Sequence, residues 1–144
     1  MFAPMVQAAS PVKPQSGNGE PSALTHWPIK IRLVPPHAPF LKKAHLLVLA
    51  DCGAVAFPTL HRDYLQGRVV LIGCPKFDEY HEYIERFAQI FAQAEIQSVT
   101  AVRMEVPCCA GLVQLAAQAA SAAGRKVPLK KVTVGLKGDV LAEE

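Results

Sequence analysis

Three short apolar runs constrain this chain more than anything else in it: Leu46-Leu47-Val48-Leu49-Ala50, Val69-Val70-Leu71-Ile72-Gly73 and the β-branched stretch from Ser98 to Val106. Each is continuous rather than alternating. That is the pattern of strands covered on both faces, as in a parallel sheet with helices above and below. Each run is also followed by cysteine within two residues. Cys52 and Cys74 follow the first two, and Cys108-Cys109 follow the third after Val106-Pro107. All four cysteines of the chain therefore lie just beyond the carboxyl end of an expected strand, the edge at which open α/β sheets bind ligands. The pattern points to one site built from Cys52, Cys74, Cys108 and Cys109.

The segments between the runs fit helices. Tyr80, Tyr83, Ile84, Phe87, Ile90, Phe91 and Ala94 recur at helical spacing, with Asp78 as expected N-cap. A second helix is expected from Cys109 to Ala123, its inner side formed by Leu112, Val113, Leu115, Ala116 and Ala119 and its stop by Gly124. Shorter helices are expected over Phe40–Ala44 and Pro58–Leu65. Trp27 to Val34 alternates like a half-buried first strand, with Trp27 as its anchor, and Val132, Val134 and Leu136 suggest a last one. The alternation of strands and helices predicts an α/β fold. It is a three-layer, mostly parallel twisted sheet with helices on both faces, Rossmann-like, in a single domain. Residues 1–25, rich in Pro and Gly, read as a flexible leader, and 26–144 as the cysteine-containing domain.

Composition narrows the function. Of 144 residues, 51% are apolar and 19% charged, so a packed core is expected. A net charge of +3, with Lys126, Lys130, Lys131 and Lys137 read as a solvated face, gives no case for nucleic acid. No apolar run is long enough for a membrane span and the start lacks a signal-peptide pattern, so a cytoplasmic protein is expected. In a reducing compartment, four cysteines point to metal or redox chemistry before disulfides. A thiol at a strand-to-helix junction is expected to have a lowered pKa.

Three chemistries compete for the site. Four thiolates suit zinc or an iron–sulfur cluster. Zinc, which would make the chain an interaction module, is disfavoured because paired C-x₂₋₄-C knuckles are absent and adjacent cysteines strain a small tetrahedral site. A thiol-dependent oxidoreductase using Cys108/Cys109 is the third. His37 and His61 read as loop or helix-surface residues, with reaching the site as the alternative; Asp51 and Lys76 either tune the charge beside the cysteines or are simply solvated at strand ends; and no phosphate loop or dinucleotide fingerprint is present.

The segments HWPIKIRLVPPHAPFLKKAHLLVLADC, HRDYLQGRVVLIGCPKFD and SVTAVRMEVPCCAGL resemble one family, through the combination of ADC, IGCPK and VPCC. It is the C-terminal region of 4Fe–4S dicluster ferredoxin-type proteins from anaerobic bacteria and archaea. The likeness covers His26 to about Gly138. Cys108-Cys109-Ala110-Gly111 is more loosely similar to the cysteine-rich CCG domains of heterodisulfide reductase-type subunits, without their downstream C-x-x-C. The family resemblance implies an iron–sulfur and redox context. The ferredoxin module that precedes this region in that family has no counterpart here. The expectation is thus a cluster, 4Fe–4S as first candidate, held by Cys52, Cys74, Cys108 and Cys109. It would serve electron transfer with a redox protein partner such as a separate ferredoxin-type subunit.

Overall fold

The computed structural model describes residues 21–124 and 126–144; residues 1–20, most of the expected leader, lie outside the described residues. The three apolar runs form β1 (His45–Ala50), β2 (Val69–Gly73) and β3 (Ser98–Met104). They join β4 (Leu129–Val134) and β5 (Val140–Glu143) in one sheet of order β2-β1-β3-β4-β5. The first four strands are parallel and β5 is antiparallel to β4. The register aligns Val48 with Leu71 on one side and Ala101 on the other. Five of the six β1 residues are fully buried, as a central parallel strand requires.

The helices are α1 (Gly53–Ala56), α2 (Tyr80–Gln93) and α3 (Gly111–Ala122). Right-handed crossovers fix their sides. The β1-to-β2 link runs one way along the sheet, and the β2-to-β3 and β3-to-β4 links run the other. Thus α1 and the π-type turn His61–Leu65 cover one face, while α2 and α3, which pack on each other, cover the opposite one. Tyr83, Phe87, Ile90 and Phe91 form the buried stripe of α2. Leu112, Leu115, Ala116 and Ala119 form that of α3, while Val113 stays half-buried. Gly124, at φ +71°, ends α3 in the left-handed conformation that glycine adopts freely.

The expected first strand is not one. Residues from Trp27 to Lys30 lie along β2, where Ile29 C=O accepts the Ile72 N–H at 2.8 Å and Lys30 forms an isolated bridge with Ile72. The chain then turns into a 3-10 turn at Ile31–Leu33. Trp27 is 44% exposed, so it is no buried anchor. His26 fills that role: it is buried, stacks on Phe40 with ring centroids 4.4 Å apart, and its Nε2 accepts the Val70 N–H at 3.1 Å. The expected helix over Phe40–Ala44 is a 3-10 turn at Pro39–Leu41, and the one over Pro58–Leu65 is the π-type turn preceded by α1. Strand β5 carries too little apolar pattern to be read in advance. Of the expected leader, Ala23 and Leu24 pack against the core, and Ala23 N–H donates to His61 Nδ1 at 3.0 Å.

Burial lowers the His26 pKa below the ordinary 6.5; the Pro28 backbone partly offsets this but falls short of a full hydrogen bond to Nδ1. Neutral imidazole is therefore the folded form. Its contribution to stability is complete above pH 6.5 and is lost as pH falls through the lowered folded value. His26→Phe keeps the ring stack but leaves a buried amide without an acceptor, an expected loss of about 1–3 kcal/mol. Urea titrations at neutral and mildly acidic pH check both points: the gap between wild type and variant should narrow as pH falls.

Candidate functional site

The chain leaves β1 toward the α1 face and leaves β3 toward the α3 face. The carboxyl ends of these neighbouring strands are therefore the topological switch point, the place at which such sheets bind ligands. Cys52 stands on one side of it, exposed, as the residue before α1. On the other side, Pro107–Cys109 form a 3-10 turn ahead of α3. Here Cys108 is exposed and Cys109 buried at 4%. Cys74, half-buried, follows β2, the strand flanking β1 on its other edge.

Cys74 is brought toward the pair by its own loop. Gly111, the first residue of α3, has Pro75 and Tyr80 against it, with Pro75 Cβ 3.4 Å from where a Cβ would stand. The Cys109 thiol is near enough to Cys108 and to Cys74 to feel their charge. Burial pushes the Cys109 thiol up, a backbone hydrogen bond with Met104 works the other way, and Cys108 and Cys74 push it further up. The lowered thiol pKa expected at this junction therefore does not hold for Cys109. Its position one turn before the helix, inside the core, lets desolvation outweigh the helix dipole. All four cysteines are free thiols. Among the described residues, no three or more His, Cys, Asp or Glu side chains stand close enough to hold a metal ion. The thiols share a sheet edge without a closed ligand shell.

Several groups that the sequence reading passed over fix this edge. Arg103 donates to the carbonyl oxygens of Met104 at 3.0 Å, Glu105 at 3.4 Å and Val106 at 3.5 Å, holding the chain between β3 and the cysteine turn. The Glu105 carboxylate accepts the Leu136 N–H at 2.8 Å and ties in the β4–β5 turn. Lys30 Nζ donates to Asp51 at 2.9 Å, leaving Asp51 Oδ1 buried without a partner. Asp78 is not the N-cap expected; Glu79 occupies that place with no side-chain cap bond, and the Asp78 carboxylate instead accepts the Tyr83 hydroxyl. The Tyr83 oxygen accepts the Cys74 N–H at 3.2 Å. Tyr83 reads as one more core residue of α2, and the signal available was a phenol in a stripe otherwise made of Phe and Ile.

The remaining candidates stay apart from chemistry. His37 is exposed, His61 holds Ala23, and Lys76 is exposed. Lys130 bonds Glu143 at 3.2 Å and lies over the Tyr64 ring. No helix among the described residues is long and apolar enough to cross a membrane.

A protein of Archaeoglobus fulgidus, described only as uncharacterized, is 34% identical over 114 residues, which is 79% of this chain and 80% of that protein. No solved structure matches the chain. The family model for a Rossmann-like domain matches residues 38–144, which takes in the whole sheet and all four cysteines. With its mostly parallel sheet and that match, the chain belongs to the Rossmann-like domain family.

Proposed function

We propose that this is a cytoplasmic iron–sulfur protein whose cluster, 4Fe–4S as first candidate, is held by Cys52, Cys74, Cys108 and Cys109. It would exchange electrons with a redox protein partner, for which a separate ferredoxin-type subunit is the candidate. One observation carries the reading: all four cysteines follow the carboxyl ends of β1, β2 and β3 along one sheet edge, and the loop that bears Cys74 packs through Pro75 on the start of α3 beside the Cys108–Cys109 turn. Soft thiolate donors are the set that iron–sulfur clusters use. When bound, the cluster supplies one-electron redox chemistry.

The chain's own part is to present the thiols, keep them in place and exclude water from one of them. Arg103 fixes the turn that bears Cys108 and Cys109. Burial keeps the Cys109 thiol protonated, so loading must release its proton and is favoured by rising pH. Exposed Cys52 and Cys108 leave the edge open to a partner.

Anaerobic reconstitution followed by iron, acid-labile sulfide and visible spectroscopy tests the proposal. The wild type should acquire a broad absorbance near about 400 nm, the charge-transfer region of thiolate-bound iron–sulfur clusters. Cys108→Ser and Cys109→Ser should lose it, and Cys52→Ser and Cys74→Ser should lose or distort it. Full iron content in Cys52→Ser and Cys74→Ser would overturn the four-thiolate site.

A second reading is favoured by the lack of a preassembled ligand group. In it the adjacent thiols of Cys108 and Cys109, both in the turn ahead of α3, reduce a partner disulfide. Two electrons and two protons pass to the partner as the adjacent sulfurs join, and the strain of a vicinal disulfide keeps the step reversible. A colourless wild-type protein that reduces a disulfide probe, with loss of that activity in either single serine variant, would decide for it.

A further inference from the structure

Tyr83 lies in the first turn of α2 and is 1% exposed. The other residues of that buried stripe are Phe87, Ile90 and Phe91, and a phenylalanine would fill the same volume at position 83. Packing therefore does not account for the hydroxyl. Its two hydrogen bonds do: it accepts the Cys74 N–H at 3.2 Å and donates to the Asp78 carboxylate. Asp78 N–H donates in turn to the Cys74 carbonyl at 2.9 Å. The Cys74 residue is thus gripped at both its N–H and its C=O by one linked pair.

Gly73 makes the grip possible. A Cβ there would lie 2.5 Å from the Tyr83 hydroxyl oxygen and 2.7 Å from Ile31 Cδ1, so only glycine lets the phenol reach the next residue's amide. Of the three loops that bring thiols to the edge, this is the one held by a buried side-chain hydroxyl. The turn that carries Cys108 and Cys109 is held through Arg103, and Cys52 leads directly into α1.

We propose that Tyr83, braced by Asp78, is a positioning residue of the thiol site, its hydroxyl fixing the Cys74 backbone so that this thiol is kept within reach of Cys108 and Cys109. The proposal rests on the reading of this edge as a thiolate site, but its test needs no cluster. Metal-free protein is treated with iodoacetamide, and the alkylation rate at each cysteine is followed by peptide mass spectrometry, with Cys52 as internal reference. In Tyr83→Phe the Cys74 rate should rise about fivefold relative to Cys52, the population change that losing one ordinary hydrogen bond permits. Asp78→Asn, which keeps an oxygen acceptor for the phenol, should stay near wild type, and Asp78→Ala should raise the Cys74 rate. After reconstitution, Tyr83→Phe should show an altered visible spectrum where the wild type holds iron.

An unchanged Cys74 rate in Tyr83→Phe overturns the proposal. So does a parallel rise at Cys52 and Cys74, which marks general loosening. Should Tyr83→Phe not fold, the contrast between Asp78→Asn and Asp78→Ala decides in the same way. Failure of the cluster reading is seen separately, as wild-type protein without iron, and leaves the alkylation ratio to judge Tyr83.

Discussion

Phe87→Ala is expected to lower the unfolding free energy by about 3–5 kcal/mol, the usual loss when a fully buried aromatic ring is cut back to a methyl group. Phe87 is 0% exposed at the middle of the α2 stripe, one turn from Tyr83 and one turn from Phe91, whose ring centroid is 6.3 Å away. Both ring neighbours are themselves fully buried. The helix is tied to α3 on one side and to the Ile31–Leu33 turn on another, so it has little freedom to close the gap. The lost transfer energy and the residual cavity then add. Thermal and urea unfolding followed by circular dichroism measure the effect. A loss below about 1 kcal/mol would mean that α2 can shift to refill the space. Phe87→Leu, closer in volume, should recover most of the stability.

The second large effect is alkaline. Burial, followed by hydrogen bonding to Glu143, pushes the Tyr64 phenol from 10 up to about 12, and burial with the bond to Asp78 pushes Tyr83 upward too. Cys109 moves the same way from 9.0. All three are acids whose folded pKa is raised, so their neutral forms are the folded ones. Their contribution is complete below the ordinary thiol and phenol values and is lost as pH rises through the folded values. Tyr64 alone should give up about 1–2 kcal/mol by the time it ionises, allowing for solvent around its Glu143 end. Tyr83 and Cys109 should add to the loss in the same direction. Urea midpoints measured as pH is raised toward about 12 should fall steeply, and less steeply in Tyr64→Phe. A flat profile would show that these groups are solvated in the native state.

How far the sequence revealed this molecule depended on which force shaped each part. Burial on both faces leaves continuous apolar runs, so β1, β2 and β3 could be read directly, and with them the placing of all four cysteines on one edge. The helical stripe of α2 was legible for the same reason. The segment from Trp27 to Val34 misled because its alternation mimics a strand, whereas its bonding to β2 is brief and Leu33 ends 60% exposed. Strand β5 escaped because four residues with a mostly exposed pattern carry no hydrophobic signal; its place is set by the hairpin with β4. The elevated Cys109 pKa was hidden because the sequence shows the helix start but not the depth of the turn before it. Asp78 was misassigned since a carboxylate near a helix start commonly caps it, and only the fold shows the phenol that claims it.

The outer margin of β2 has a consequence beyond the site. A sheet's rim normally offers a row of free amides on which another chain can grow, the first step toward aggregation or domain exchange. Here successive outward amides are already taken: Val70 by the His26 imidazole, Ile72 by the Ile29 carbonyl, Cys74 by the Tyr83 phenol. That rim is closed to any incoming strand. Sheet extension from one molecule to the next is left to the opposite rim, where β5 is only four residues long and ends in Glu143 beside Glu144. Brevity and negative charge discourage pairing there too. A protein that carries four free thiols at its top edge, two of them exposed, is thereby shielded from strand pairing along its sides.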